Sequence, residues 1–177
     1  MVNITALIAQ FPVSPSIQRN LEIIDSVLEQ THAGDLVLFP EGSISGYSPD
    51  ASFLKQIDHA ELAKAMEHLQ VEARKRKINV WAGACVNLDN RWFNAAYGFS
   101  PDGKMHVYHK INLANRERGI FSTGNSLPIF ELNILDKKVV IGVQICRELR
   151  FPEQWGWLAR RESQIILHIN NASGVSS

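Results

Sequence analysis

The sequence predicts an α/β fold with mixed sheets, and three observations predict it. Apolar periodicity switches back and forth between short strand-like runs and stretches with helical spacing. Turn signals such as Leu88-Asp89-Asn90-Arg91 separate neighbouring strand-like runs, which demands antiparallel pairs within an alternating β/α order. A composition of 45% hydrophobic and 20% charged residues supplies a core without resembling a disordered, fibrous or membrane chain. At 177 residues the chain reads as one domain over 1–177, burying roughly 68 to 70% of its unfolded surface and needing neither disulfides nor a structural metal.

The elements follow in order. Ile4 to Gln10 reads as a strand, and Ser14-Pro15 starts a helix with Ile17, Leu21, Ile24 and Leu28 on one face. Leu36 to Phe39 is a short buried strand. Asp58 with Glu61 forms a capping-box pattern that opens a helix carrying Leu62, Met66, Leu69 and Ala73 and ending near Lys77. Val80 to Val86 is the next strand, joined antiparallel to Trp92–Phe99, and Pro101-Asp102-Gly103 turns into Met105 to His109. Pro128 to Leu132 and Val139 to Ile145 flank a polar connection over 133–138. Phe151-Pro152 then opens a helix to about Arg161, and Gln164 to Asn170 is the last strand.

Composition also excludes function classes. With 18 basic and 18 acidic residues the net charge is zero, so there is no electrostatic footprint for nucleic acid and no polybasic membrane anchor. The one basic cluster, Arg74-Lys75-Arg76-Lys77, ends a helix, where cations complement the dipole. Cys85 and Cys146 form no CxxC pair, which argues against a disulfide framework or a cysteine-rich zinc site and for a reducing compartment. The start, Met1-Val2-Asn3-Ile4-Thr5, has no charged leader, and no apolar run reaches the roughly 20 residues a bilayer requires. The expectation is a soluble cytoplasmic protein.

Three strand ends carry unusual polar residues: Leu36-Val37-Leu38-Phe39-Pro40 delivers Glu41, Met105 to His109 delivers Lys110, and Val139 to Ile145 delivers Cys146. Ligands of α/β sheets bind beyond the carboxyl ends of strands. Taken singly, each residue has a plain alternative: a solvated loop carboxylate, a lysine reaching out from a sheet edge, a small buried hydrophobe. Cys85, inside an apolar run, reads as structural. Together they form a chemical set. A thiol nucleophile needs a base to take its proton and a cation to hold the negative oxygen formed by its attack, and a nearby positive charge is expected to lower its pKa.

Phe39-Pro40-Glu41 with Gly46-Tyr47, His109-Lys110-Ile111-Asn112-Leu113, and Gly142-Val143-Gln144-Ile145-Cys146-Arg147-Glu148-Leu149-Arg150-Phe151-Pro152-Glu153 resemble the three signature segments of the nitrilase superfamily, the carbon-nitrogen hydrolases. They occur in the family order, and the similarity runs from the first strand to about Asn171. The resemblance implies an α-β-β-α sandwich assembled through a helical interface into at least a dimer. It implies Glu41 as general base, Lys110 as oxyanion stabiliser and Cys146 as nucleophile, with the backbone N–H of Arg147 as second oxyanion donor. Glu117, in Arg116-Glu117-Arg118-Gly119, matches the segment where many members carry a second glutamate; its alternative is a surface carboxylate paired with Arg116 or Arg118. The implied reaction is hydrolysis of a non-peptide carbon-nitrogen bond in a small amide through a Cys146 thioester, with nitriles and carbamoyl compounds open as substrates.

Competing motifs fail. Gly42-Ser43-Ile44-Ser45-Gly46 has isoleucine where a serine-hydrolase elbow needs serine. His106 and His109 point to opposite faces of their strand, so no metal site is indicated, and no glycine-rich phosphate loop indicates a cofactor. Family members continue well past the strand equivalent to Gln164–Asn170, whereas this sequence stops at Ser177, and Asn171–Ser177 is too short and polar to replace the missing strands. The expectation is therefore a C-terminally truncated member, a fragment or a shortened relative, with an incomplete pocket and sheet edges prone to self-association. A non-catalytic scaffold or binding protein of the same fold is the alternative, and a redox-sensing thiol protein is disfavoured because Cys85 is poorly placed as a resolving cysteine.

Overall fold

A computed structural model of the chain describes residues 4–48 and 50–171. The sequence readings of Met1–Asn3 and of the tail beyond Asn171 lie outside the described residues. Among the described residues there are eight strands: β1 (Ala6–Ile8), β2 (Leu36–Leu38), β3 (Asn79–Leu88), β4 (Arg91–Phe99), β5 (Met105–His109), β6 (Ile129–Ile134), β7 (Lys137–Ile145) and β8 (Ile165–Ile169). Three α-helices accompany them: α1 (Ile17–Leu28), α2 (His59–Arg76) and α3 (Pro152–Arg160).

The strands form two mixed sheets. The first runs β1-β2-β3-β4-β5, parallel through β3 and antiparallel after it; the second runs β6-β7-β8, with β6 antiparallel and β8 parallel to β7. Side chains alternate along each strand, and this places the layers. Val37, Val80, Ala82, Ala95 and Phe99 pack on one face of the first sheet with Ile24 and Leu28 of α1 and Leu62 and Leu69 of α2. Leu36, Leu38, Trp81 and Tyr108 on its other face meet Val139, Ile141, Val143 and Ile145 of β7, with Leu167 and Ile169 of β8. On the outer face of β7, a Cβ at Gly142 would run into Leu158 of α3, and Gln144 is hydrogen-bonded to Gln154 of α3 at 3.0 Å. The layers are thus helix, sheet, sheet, helix.

Several boundaries differ from the sequence reading. Helix α1 starts at Ile17, because Ser16 is the cap and accepts from the Arg19 N–H at 3.3 Å. Ser14 is instead held by the buried Asn20, whose amide bonds its N–H and C=O at 2.8 Å each. Strand β1 is only three residues long because its partner β2 offers only Leu36–Leu38. The polar stretch over 133–138 is mostly strand: Asn133 pairs with Lys138 and Ile134 with Lys137, leaving a tight turn with Leu135 at φ +56. A short 3-10 helix, Ala51–Gln56, capped by Asp50, was not anticipated.

Other signals hold. The Asp58 carboxylate accepts from the N–H groups of Ala60 and Glu61, and Asp89 and Asn90 take positive φ in the β3–β4 turn. The basic end of α2 is tied down locally, with Glu72 receiving Lys75 at 3.0 Å and Arg76 at 2.7 Å. His106 and His109 do lie on opposite faces, stacked on Trp81 and Phe93 respectively. Among the described residues no helix is long and apolar enough to cross a membrane.

Candidate active site

Glu41 sits in a tight turn directly after β2, and the turn is fastened to β3. Ile44 N–H donates to the Gly83 carbonyl at 2.9 Å, Gly83 N–H to the Pro40 carbonyl at 3.1 Å, and Cys85 N–H to Ser45 Oγ at 2.7 Å. Gly83 makes this approach possible: a Cβ there would collide with the backbone of Glu41 and Gly42. Gly42, at φ +71, completes the turn. The result is a carboxylate with no solvent exposure, aimed along the end of the first sheet.

Lys110 follows β5, and its N–H is held by the Asn94 carbonyl at 2.9 Å. Its ammonium is buried between two carboxylates, 3.1 Å from Glu41 Oε1 and 2.9 Å from both oxygens of Glu117. Glu117 is therefore not a surface partner of Arg116 or Arg118. It is buried, accepts from the Ala114 N–H at 2.6 Å, and receives the Tyr47 hydroxyl at 3.0 Å. The sequence reading missed Asn94. Its side-chain amide donates to Glu41 Oε1 and to Glu117 Oε1, both at 2.7 Å, so one NH₂ group spaces the two carboxylates. Its burial inside β4, which gives its polar atoms no access to solvent, becomes visible only with the fold.

Cys146 arrives from the second sheet, at the end of β7, in the left-handed region at φ +51. Non-glycine residues enter that region at a cost, and such costs gather at functional turns. The half-buried thiol lines a cavity of about 410 Å³ shared with Ala114, Arg147, Leu149, His168 and Asn170. Asn171 N–H reaches across to Glu41 Oε2 at 3.0 Å, tying the end of β8 to the carboxylate. Beyond Ala114 a second cavity of about 270 Å³ is lined by Tyr47, Phe53, Glu117, Ile120 and Phe121. Arg147 directly follows the thiol, and its Nε is buried without a hydrogen-bond partner among the described residues.

The charges set the protonation states. Burial works against the Lys110 ammonium, but Glu41 and Glu117 beside it outweigh burial and raise its pKa above the usual lysine value. Burial likewise opposes the Glu117 charge, and Lys110, the Ala114 N–H and Asn94 together hold its pKa below the usual carboxylate value. The Cys146 thiol goes the other way from the sequence expectation. Burial and the negative field of Glu41 push it up to about 11, with Lys110 opposing. Two carboxylates surround one ammonium, so burial and the cluster together favour a neutral thiol with a carboxylate beside it rather than a resting thiolate. Cys85, fully buried, is raised further still by burial and by Glu41. Among the described residues no group of His, Cys, Asp and Glu could hold a metal ion.

The chain as a whole has relatives among known proteins. A sequence model for carbon-nitrogen hydrolases matches residues 5–177. The chain belongs to the carbon-nitrogen hydrolase family. It is 28% identical over 145 residues to a probable nitrilase of Schizosaccharomyces pombe, covering 80% of this chain and 52% of that protein. It is 27% identical over 136 residues to an (R)-stereoselective amidase of Pseudomonas sp., covering 77% and 48%. This carbon-nitrogen hydrolase chain thus spans about half the length of the curated relatives it matches. Its fold matches an amidase from Nesterenkonia sp. AN1, in a variant complexed with butyramide, with a TM-score of 0.82 at 23% identity, covering 98% of this chain and 67% of that one.

Proposed function

We propose that this carbon-nitrogen hydrolase cleaves a small non-peptide amide through a thioester on Cys146. Glu41 takes the thiol proton as Sγ attacks the amide carbon, and the carbonyl oxygen becomes an oxyanion held by the Lys110 ammonium and the Arg147 N–H. Collapse of that intermediate breaks the carbon-nitrogen bond, and Glu41 returns the proton to the departing ammonia or amine. Water then attacks the thioester with Glu41 again accepting a proton, and the carboxylic acid leaves as the thiol is restored. Glu117 and Asn94 keep Lys110 charged and in place.

The observation that carries this reading is the ammonium of Lys110, buried 3.1 Å from Glu41 and 2.9 Å from Glu117 beside a thiol that burial and Glu41 keep protonated. A neutral nucleophile paired with an adjacent base suits proton transfer concerted with attack. The test is ammonia release from a panel of amides, nitriles and carbamoyl compounds, beginning with butyramide, the compound bound in the Nesterenkonia amidase. Amide turnover that vanishes in Cys146→Ser supports the reading. Turnover that survives Cys146→Ser overturns it, and an inert wild-type protein favours a binding role for the fold.

A further inference from the structure

Glu148 plays no part in the chemistry above, yet it is among the most heavily engaged side chains in the molecule. It has no solvent exposure. One oxygen, Oε1, accepts from the Tyr108 hydroxyl at 2.7 Å, the Ile111 N–H at 2.9 Å and the Asn112 N–H at 3.0 Å, with Gln154 Nε2 at 3.4 Å. The other, Oε2, accepts from the Ile145 N–H at 2.8 Å. Every one of these donors is a neutral N–H or O–H.

The positions of the donors matter more than their number. Tyr108 lies two residues before Lys110, Ile111 and Asn112 follow it directly, and Ile145 immediately precedes Cys146. Lys110 stands at the end of the first sheet and Cys146 at the end of the second. A single carboxylate therefore joins the backbone flanking the ammonium to the backbone entering the nucleophile turn. That turn needs an external hold, since Cys146 sits at φ +51.

We infer that Glu148 is a positioning residue that sets the location of the Cys146 thiol relative to Lys110. The kinetic part of this inference rests on the amide-hydrolase reading. The acceptor chemistry explains why a carboxylate is needed. An amide at this position has one acceptor oxygen and one NH₂, so whichever way it turns an N–H faces either Ile145 or the Ile111–Asn112 pair. An aspartate keeps both acceptors but is one methylene too short to serve both ends. Loss of the tie lets the sheet ends shift, and a displacement of about 1 Å at reacting groups costs on the order of 10²-fold in rate.

The experiment compares wild type with Glu148→Gln, Glu148→Asp and Tyr108→Phe, and uses Glu131→Gln, in an exposed pair with Lys138, as the remote carboxylate-to-amide control. Each protein is assayed well below its thermal midpoint for kcat and KM on butyramide and for the rate of Cys146 alkylation by iodoacetamide against pH. The charged and titratable groups facing the thiol are Glu41 and Lys110 from strand ends of the first sheet and Glu117 from the loop after β5, with Arg147, Arg150 and His168 lining the cavity on its own side. In Glu148→Gln, kcat should fall by about 10 to 10²-fold with KM within about twofold of wild type. The alkylation profile should move to lower pH, because a displaced thiol is less buried and leaves Glu41, whose raising field outweighs the opposing field of Lys110. Tyr108→Phe should shift both readouts in the same direction by less, because the carboxylate keeps its three backbone bonds, and it carries the test if Glu148→Gln does not fold. Variants that lower only the thermal midpoint, with kcat and the alkylation profile unchanged, would reduce Glu148 to a structural residue and overturn the inference. If turnover is lost in Cys146→Ser but kept in Glu148→Gln, positioning fails while the hydrolase reading stands. If turnover survives Cys146→Ser, the hydrolase reading fails and the alkylation profile alone decides positioning.

Discussion

Replacing Lys110 by methionine keeps most of the length of the side chain and removes its charge, leaving Glu41 and Glu117 buried side by side. Both carboxylates are at most 2% exposed, so solvent cannot take over the role of the ammonium. Breaking a buried pair by removing one partner costs about 3 to 5 kcal/mol, and for a chain of this size each kcal/mol moves the thermal midpoint by about 2 to 4 °C. The expected loss at pH 7 is therefore about 6 to 20 °C. The pH dependence gives a second signature. Glu117 has a folded pKa below the ordinary 4.5, so its contribution in the wild type is present above that value and fades as pH falls through the folded one. Lys110 is raised above 10.5, so its contribution is full below that value and fades only as pH climbs past the folded pKa. Both are present at pH 7 in the wild type. In Lys110→Met the two carboxylates repel, and uptake of a proton relieves them, so the gap to wild type should narrow between pH 7 and about pH 5. Thermal unfolding followed by circular dichroism across that range measures it. A Lys110→Met protein that melts with the wild type at pH 7 would refute the account of the cluster.

Alkylation of the folded protein by iodoacetamide should modify Cys146 ahead of Cys85, with a rate that rises about tenfold per pH unit between roughly pH 7 and 10, as a thiol near 11 requires; a plateau below pH 8 in peptide mapping would contradict this. Glu41→Gln should move that profile to lower pH by removing the carboxylate field, while turnover falls by about 10² to 10⁴-fold, and a loss of turnover without the shift would separate the two roles. Asn94→Leu removes donors to two buried carboxylates and should cost at least about 1.5 to 3 kcal/mol in urea unfolding, whereas a change under about 0.5 kcal/mol would show that the bridge is dispensable. Gly83→Ala forces a methyl against the Glu41–Gly42 backbone and should cost about 1 to 3 kcal/mol, detectable as a lower urea midpoint; a wild-type midpoint would mean that the turn has room to move.

The polar strand ends were visible in the sequence because each follows a mostly apolar, strand-like run, and Glu41, Lys110 and Cys146 needed no structure to be singled out. The two-sheet arrangement rested on the family resemblance, since periodicity alone shows a mixed sheet but not how many. Asn94 was hidden. An asparagine near a strand start reads as ordinary turn chemistry, and only the convergence of Glu41 and Glu117 from distant loops gives its amide a purpose. The protonation of Cys146 was hidden for a related reason: sequence shows one lysine arriving near the thiol but not that two carboxylates arrive with it. The 133–138 segment misled because polar side chains on a solvent-facing hairpin look like a loop until Asn133 and Lys138 are seen in register. At the start of α1, two serines compete for the cap, and Asn20, from within the helix, takes the first of them.

Glu41 and Lys110 stand just beyond strands of one sheet, with Glu117 in the loop that follows its last strand, while the thiol hangs from the other sheet. The apolar seam between them, where Trp81 and Tyr108 face Ile141, Val143 and Ile145, is thereby the ruler of the site. A chain in which only the first sheet has formed holds the charged cluster without the Cys146 thiol beside it, so under the proposed mechanism reactivity depends on the docking step rather than on either sheet alone. Volume changes in that greasy layer, made without touching a single polar group, should register as changes in rate before they register as loss of fold.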